Sequence, residues 1–168
     1  MPGSTRARVA VTVAVLIAAV VAYRWWTSPE RMIRNTISEA ASALNHDQPA
    51  SNLSAIAAVA VLNSYLAPDV SIEGGPASTP LVGRQEIVAT AARLRASTPM
   101  MRVQLFDEEI SFASAAAATV YLTAQVTTRG GGGEELADAH QLIVALVKSE
   151  GRWLVSRVTL VQKTEPAL

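Results

Sequence analysis

Asp138 and His140 are the side chains in this sequence best suited to acid–base chemistry. A carboxylate beside an imidazole is a simple proton-handling couple. The carboxylate orients the ring, and the ring accepts or returns a proton near neutral pH. Two residues apart in an extended segment, the pair shares one face of a strand. A solvated sheet face or a dimer-interface row produces the same spacing, so the direction of that face separates a catalytic pair from a surface pair.

Other clusters carry less chemistry. Asp107-Glu108-Glu109 places three acids together, a pattern that suits a solvated bend better than a cation site. His46-Asp47 falls at a helix end, where a cation eases the dipole. Two separated histidines and no cysteine form no metal-ligand set, and no metal or cofactor is implied. The same lack of cysteine excludes disulfides and thiol nucleophiles. Gly130 to Gly133 lack the GxGxxG spacing and join strand to strand. A Gly-x-Ser-x-Gly elbow is absent. Fourteen basic residues balance fourteen acidic ones, which removes the electrostatic case for nucleic acid.

The elements that must position these groups follow from periodicity. Ser28-Pro29-Glu30 starts a helix, with a capping hydroxyl, proline in the first turn and an acid near the positive end. Ile33, Ile37, Ala40 and Leu44 continue it, and Asn45 to Pro49 end it. A second helix begins near Ser51 or Asn52, carries Ile56, Val59, Leu62 or Asn63, and Leu66 as its stripe, and stops at Pro68. Asp69 to Glu73 alternates as a short strand. Gly83-Arg84-Gln85-Glu86 opens a third helix, whose buried side is Ile87, Val88, Ala91 and Leu94 and whose end is Pro99.

From Met100 the period becomes two, giving four strands at about 100–112, 115–128, 135–148 and 153–162. Met101, Val103 and Leu105 are apolar at odd positions; Phe106, Ile110 and Phe112 are apolar at even ones. That switch predicts a bulge or bend near Asp107. Gly130–Gly133 and Ser149–Arg152 supply the hairpin turns, and Trp153 is expected to cover the core.

The leading segment is of a different kind. Arg6 and Arg8 precede an apolar run from Val9 to Tyr23, which closes on Arg24, Trp25 and Trp26. At roughly 1.5 Å per residue that run makes about 22 Å of helix, short of the ~30 Å bilayer core unless the flanking Arg and aromatic residues extend it. The domain reading is therefore a short tail over 1–8, a transmembrane signal-anchor over 9–26 and one domain over 28–168. It places the domain outside a cytoplasmic membrane, on the periplasmic side. The alternative is a secreted protein cut after Ala22.

Three helices, a short strand and a four-strand meander resemble the NTF2-like superfamily, which includes SnoaL-like and ketosteroid-isomerase-like domains. The residues that carry the resemblance are Tyr65-Leu66-Ala67-Pro68-Asp69-Val70 leading into Ser71-Ile72-Glu73, Val82-Gly83-Arg84-Gln85-Glu86-Ile87, and Glu150-Gly151-Arg152-Trp153-Leu154-Val155. The resemblance implies an α+β cone, with three N-terminal helices packed on a curved antiparallel sheet whose concave side forms the pocket. That superfamily holds enzymes, binders and scaffolds, so fold alone leaves function open. A membrane helix feeding such a domain also resembles VirB8-type and Mce-associated subunits of envelope complexes.

Centring the hairpin on the glycine turn pairs Thr123 with His140, Gln125 with Asp138 and Tyr121 with Leu142. On that register Asp138 and His140 point away from the helices. Gln141 and Ser156 are then the polar groups on the inner face, with Tyr65, Glu73 and Arg102 near the cone mouth as candidate ligand contacts. The outer face, with Tyr121, Leu142, Val144, Val155 and Arg157, is a candidate homodimer surface. The expected function is a non-enzymatic module binding an envelope protein or a small apolar ligand. The rival is an isomerase, dehydratase or cyclase, to which ionisable groups inside the cone are essential.

Overall fold

The computed structural model describes residues 13–17, 19, 28–47, 52–74, 79–130 and 132–161. The chain divides into two units, Met1–Met32 and Ile33–Leu168. In the first, residues 13–17 are helical, with exposed side chains. Most of the expected anchor, including its arginine and tryptophan flanks and the possible cut after Ala22, lies outside the described residues, as does Gly131 of the glycine turn. Among the described residues no helix is long and apolar enough to cross a membrane.

Helix α1 spans Pro29–Ser42. Ser28 starts it as expected: its Oγ accepts from the Arg31 N–H at 3.4 Å and its carbonyl from the Met32 N–H at 3.2 Å. Ile33, Thr36 and Ile37 form the buried stripe. Helix α2 (Asn52–Tyr65) runs directly into strand β1 (Leu66–Glu73). Leu62 and Leu66 are buried, but Ile56, expected in the stripe, is 66% exposed. This helix is apolar around most of its circumference, so periodicity could not choose a face for it. A two-residue strand β2 (Leu81–Val82), unforeseen in the sequence, precedes helix α3 (Arg84–Ser97).

The meander follows as β3 (Met100–Ser114), β4 (Ala117–Arg129), β5 (Glu135–Ser149) and β6 (Arg152–Val161), within a residue or two of the expected bounds. The sheet order is β2-β1-β6-β5-β4-β3. It is mixed, not purely antiparallel as expected: β1 lies parallel to β6, because α3 and the meander carry the chain back to the edge beside β1. The bulge near Asp107 is present. Register shifts between Phe106/Glu109 and Asp107 adopts φ 54°. The bulge turns Ile110 and Phe112 to the face that holds Leu105, while Phe106 stays on the other face, opposite Thr123.

Polar clamps tie the helices to the sheet margin. The Arg95 guanidinium, from the end of α3, is only 6% exposed and donates to the carbonyls of Ala43 (2.8 Å) and Asn45 (3.0 Å) just past α1. It thereby satisfies carbonyls that the helix end leaves without partners. Burial pulls its pKa below the usual arginine range. His46 is also buried, and its ring nitrogens face the carbonyls of Leu44 (3.1 Å) and Thr98 (2.7 Å). Both partners are acceptors. His46 and Met101 exchange backbone hydrogen bonds of 2.9 Å, and Asn45 Oδ1 accepts from Val103 N–H, so this loop covers the free edge of β3. Arg34 of α1 pairs with Glu108 at the bulge (2.6 Å), and the Thr36 hydroxyl donates to the Trp153 carbonyl at 3.4 Å. Trp153 is buried, edge-on to Phe112.

Gly74 closes β1 with φ +85°, and a Cβ there would lie 2.6 Å from the Leu160 carbonyl oxygen of the sheet. Gly74→Ala is therefore expected to destabilise by on the order of 1–3 kcal/mol, from both left-handed strain and backbone collision. Urea unfolding of the variant against the parent measures it. An unchanged midpoint would show that β1 does not hold this approach to β6.

Candidate functional site

A cavity of about 310 Å³ lies between the helices and the sheet. Helices α1 and α3 wall it with the same spacing. Ile37, Ala40 and Ala41 of α1, with Leu44 in the turn just past its end, recur at i, i+3, i+4 and i+7, and so do Ile87, Thr90, Ala91 and Leu94 of α3. That spacing turns one stripe of each helix to the interior. In both stripes the two middle residues are small, and the space is the volume that larger side chains would otherwise occupy. The sheet side is Ile72, Leu81, Val103, Leu105, Leu122, Leu142, Val144, Val155 and Val158, and Leu62 and Leu66 fill the α2 end. Leu94 lines the cavity and is 45% exposed, which marks an opening beside α3.

Every lining residue is aliphatic except Thr90. Such walls offer dispersion and removal of apolar surface from water. They offer nothing to a buried charge or amide, which would lose its hydration without replacement. The space is at the lower end of the range for small-molecule pockets.

The lining corrects the facing expected from the sequence, and the error lies in β5 and in the part of β6 up to its bulge at Ser156. The hairpin loop is five residues long, 130–134, closed by a Gly130 N–H to Glu134 carbonyl bond of 2.9 Å, with Arg129 opposite Glu135 and ion-paired to it. Thr123 therefore pairs with Gln141, Gln125 with Ala139 and Tyr121 with Ile143. A one-residue slip turns every side chain of a strand over. Leu142 and Val144, expected on the dimer face, wall the cavity instead; Ile143 and Ala145 take the outer face, beside Tyr121 and Thr119. Val155 also points inward, because β6 bulges: Leu146 pairs with Val155 but Ala145 with Arg157. Of the expected dimer residues, Tyr121 and Arg157 stay on the outer face.

None of the expected ligand contacts lines the cavity. Gln141 sits on the outer face, exposed, opposite Thr123 and Val161. Ser156 is the extra residue of the β6 bulge, and its hydroxyl donates to the Ala145 carbonyl at 3.1 Å. Glu73 lies beside Arg157, 3.4 Å from its Nε, at the outer face. Arg102 pairs with Asp47 at 3.0 Å in solvent. Tyr65 is half-buried at the end of α2.

Asp138 and His140 move the other way. They share the parity of Leu142 and Val144, so they stand on the cavity's face of the sheet, beyond its lining. His140 Nε2 is 3.1 Å from Asp138 Oδ2, with the two side chains 44% and 75% exposed. The pair is thus at the rim and in water. It is expected to contribute little to folding: Asp138→Asn and His140→Ala should each stay within about 0.5 kcal/mol of the parent in thermal unfolding. A larger loss would mean that the pair is part of the scaffold.

The profile of the SnoaL-like domain matches residues 57–159. None of the curated proteins matches the chain. Solved structures share the fold at low identity. A candidate scytalone dehydratase from Novosphingobium aromaticivorans is 17% identical, with a TM-score of 0.65 over 78% of this chain and 81% of that one. A candidate dehydratase of the NTF2-like family from Streptomyces avermitilis is 16% identical, with a TM-score of 0.64 over 79% and 96%. A protein of cystatin-like fold from Caulobacter vibrioides is 16% identical, with a TM-score of 0.61 over 80% and 90%. At these identities the likeness establishes fold.

Proposed function

The chain belongs to the SnoaL-like domain family, and from that premise we propose that it is a binding module for one small, largely apolar molecule held in the cavity between α1, α3 and the sheet. The observation that carries this reading is the lining: aliphatic throughout but for Thr90. Isomerase or dehydratase chemistry inside the cavity would need a base and a donor against the reacting atoms. The walls supply no base, and the Thr90 hydroxyl is the sole donor among the lining side chains.

Cavity filling tests the reading. Ala91→Leu puts a larger side chain into the space from the middle of the α3 stripe. It is expected to raise stability by about 0.5–2 kcal/mol while abolishing uptake of an apolar fluorescent probe such as N-phenyl-1-naphthylamine. Probe binding that survives in the stabilised variant would refute cavity binding.

A second reading rests on one observation, the arrival of Asp138 and His140 on the cavity's face of the sheet. In it the pair serves as a base for a substrate that reaches out of the cavity, in line with the solved neighbours described as candidate dehydratases. Turnover lost in His140→Ala with probe binding intact would favour it.

The same proposal keeps the domain at a membrane through residues 9–26, supported by the apolar run and its Arg and Trp flanks. The full chain is expected to sediment with membranes after an alkaline wash, and a chain lacking residues 1–27 to remain soluble. Equal partitioning of the two would remove the anchor.

A further inference from the structure

The end of β5 places one particular hydrogen-bonding arrangement at the edge of the apolar cavity. Across the sheet, Leu105, Ala124 and His140 form one row, and Val103, Val126 and Asp138 the next. Leu105 and Val103 both line the cavity, as does Leu142, two residues after His140 along β5. Two strand residues span about 7 Å, so the imidazole stands within one side-chain length of the lined space. The last β5–β6 pair among the described residues is Gln141 with Val161, and no described strand lies beside Asp138 and His140 on that edge of β5.

The pair leaves one ring position open. Asp138 Oδ2 stands 3.1 Å from His140 Nε2. A carboxylate only accepts, so Nε2 carries the proton of that bond. In the neutral ring Nδ1 is then an acceptor, and among the described residues no hydrogen bond occupies it. An acceptor backed by a carboxylate selects its partner. A donor hydroxyl pairs with it. A carboxylate head has no proton to give and adds a second negative charge beside Asp138. A hydrocarbon end leaves Nδ1 to water.

We propose that the cavity's ligand is an apolar alcohol: a carbon body inside the cavity and a single hydroxyl at the rim, donating to Nδ1 of His140. This rests on the reading of the cavity as a ligand site. The space of about 310 Å³ holds on the order of ten water-sized groups, so the body is of roughly that many carbons.

The test uses the full chain and matched probes, 1-decanol, its methyl ether, decanoate and decylamine, each displacing N-phenyl-1-naphthylamine. The alcohol is expected to bind roughly five- to tenfold tighter than the ether, which keeps the oxygen but lacks the donor. His140→Phe is expected to abolish that preference while the ether binds as before. The ¹⁵N resonance of His140 Nδ1 should move on adding the alcohol and stay in place with the ether. Equal affinity of alcohol and ether, a preference that survives His140→Phe, or tighter binding of decanoate or decylamine overturns the proposal and leaves the cavity reading standing. Displacement by none of the four overturns both.

Discussion

The pairing of β4 with β5 across a five-residue loop is the constraint on which the site depends. With Arg129 opposite Glu135, each inward position of β5 is an even-numbered one, and Leu142, Val144 and Leu146 meet Leu122, Val120 and Ala118 on the helix side. The same count carries Asp138 and His140 to that side and sends Gln141 and Ile143 outward. A strand has two faces and no intermediate setting, so one residue more or less in the loop would exchange an aliphatic wall for a polar one. The apolar cavity and the acid–base pair at its rim are thus two consequences of one register.

The helix layer holds that cavity open by being fastened at its edges. Arg95 clasps the end of α1, His46 bridges Leu44 and Thr98, Arg34 meets Glu108 at the bulge and Thr36 reaches Trp153. These contacts fix where α1 and α3 lie over the sheet. Between them the helices present Ala40, Ala41, Thr90 and Ala91, side chains too short to fill the distance so set. Close packing would otherwise draw helices and sheet together. The desolvation of Arg95 and its unpartnered Nε are consistent with a clamp that carries a cost of its own.

Much of the local structure was legible in the residues. The Ser28 cap, the starts of the three helices, the four long strands and the bend at Asp107 all rest on interactions within a few positions of each other, whereas Leu66 to Pro68, expected to finish the second helix, pair into β1. Two paired small residues in the middle of otherwise large stripes, Ala40-Ala41 and Thr90-Ala91, were a readable sign of a cavity. Pattern reading passed over them because alanine satisfies an apolar stripe as well as leucine does. Ile56 and the rest of α2 were ambiguous for the opposite reason: a helix apolar on most sides has no preferred inner face.

What the sequence determined by itself was the kind and order of elements, because hydrophobic period, caps and turn residues act over short spans. What only the tertiary structure decided was facing: whether Glu134 belongs to the loop, whether β6 bulges at Ser156, and therefore which residues look at the helices. Those choices are made by pairing between strands, where a single hydrogen-bond register is selected by the whole sheet and its helix layer together. No window along the chain contains that information, and so Asp138 and His140 changed sides while the four long strands stayed where their residues had put them.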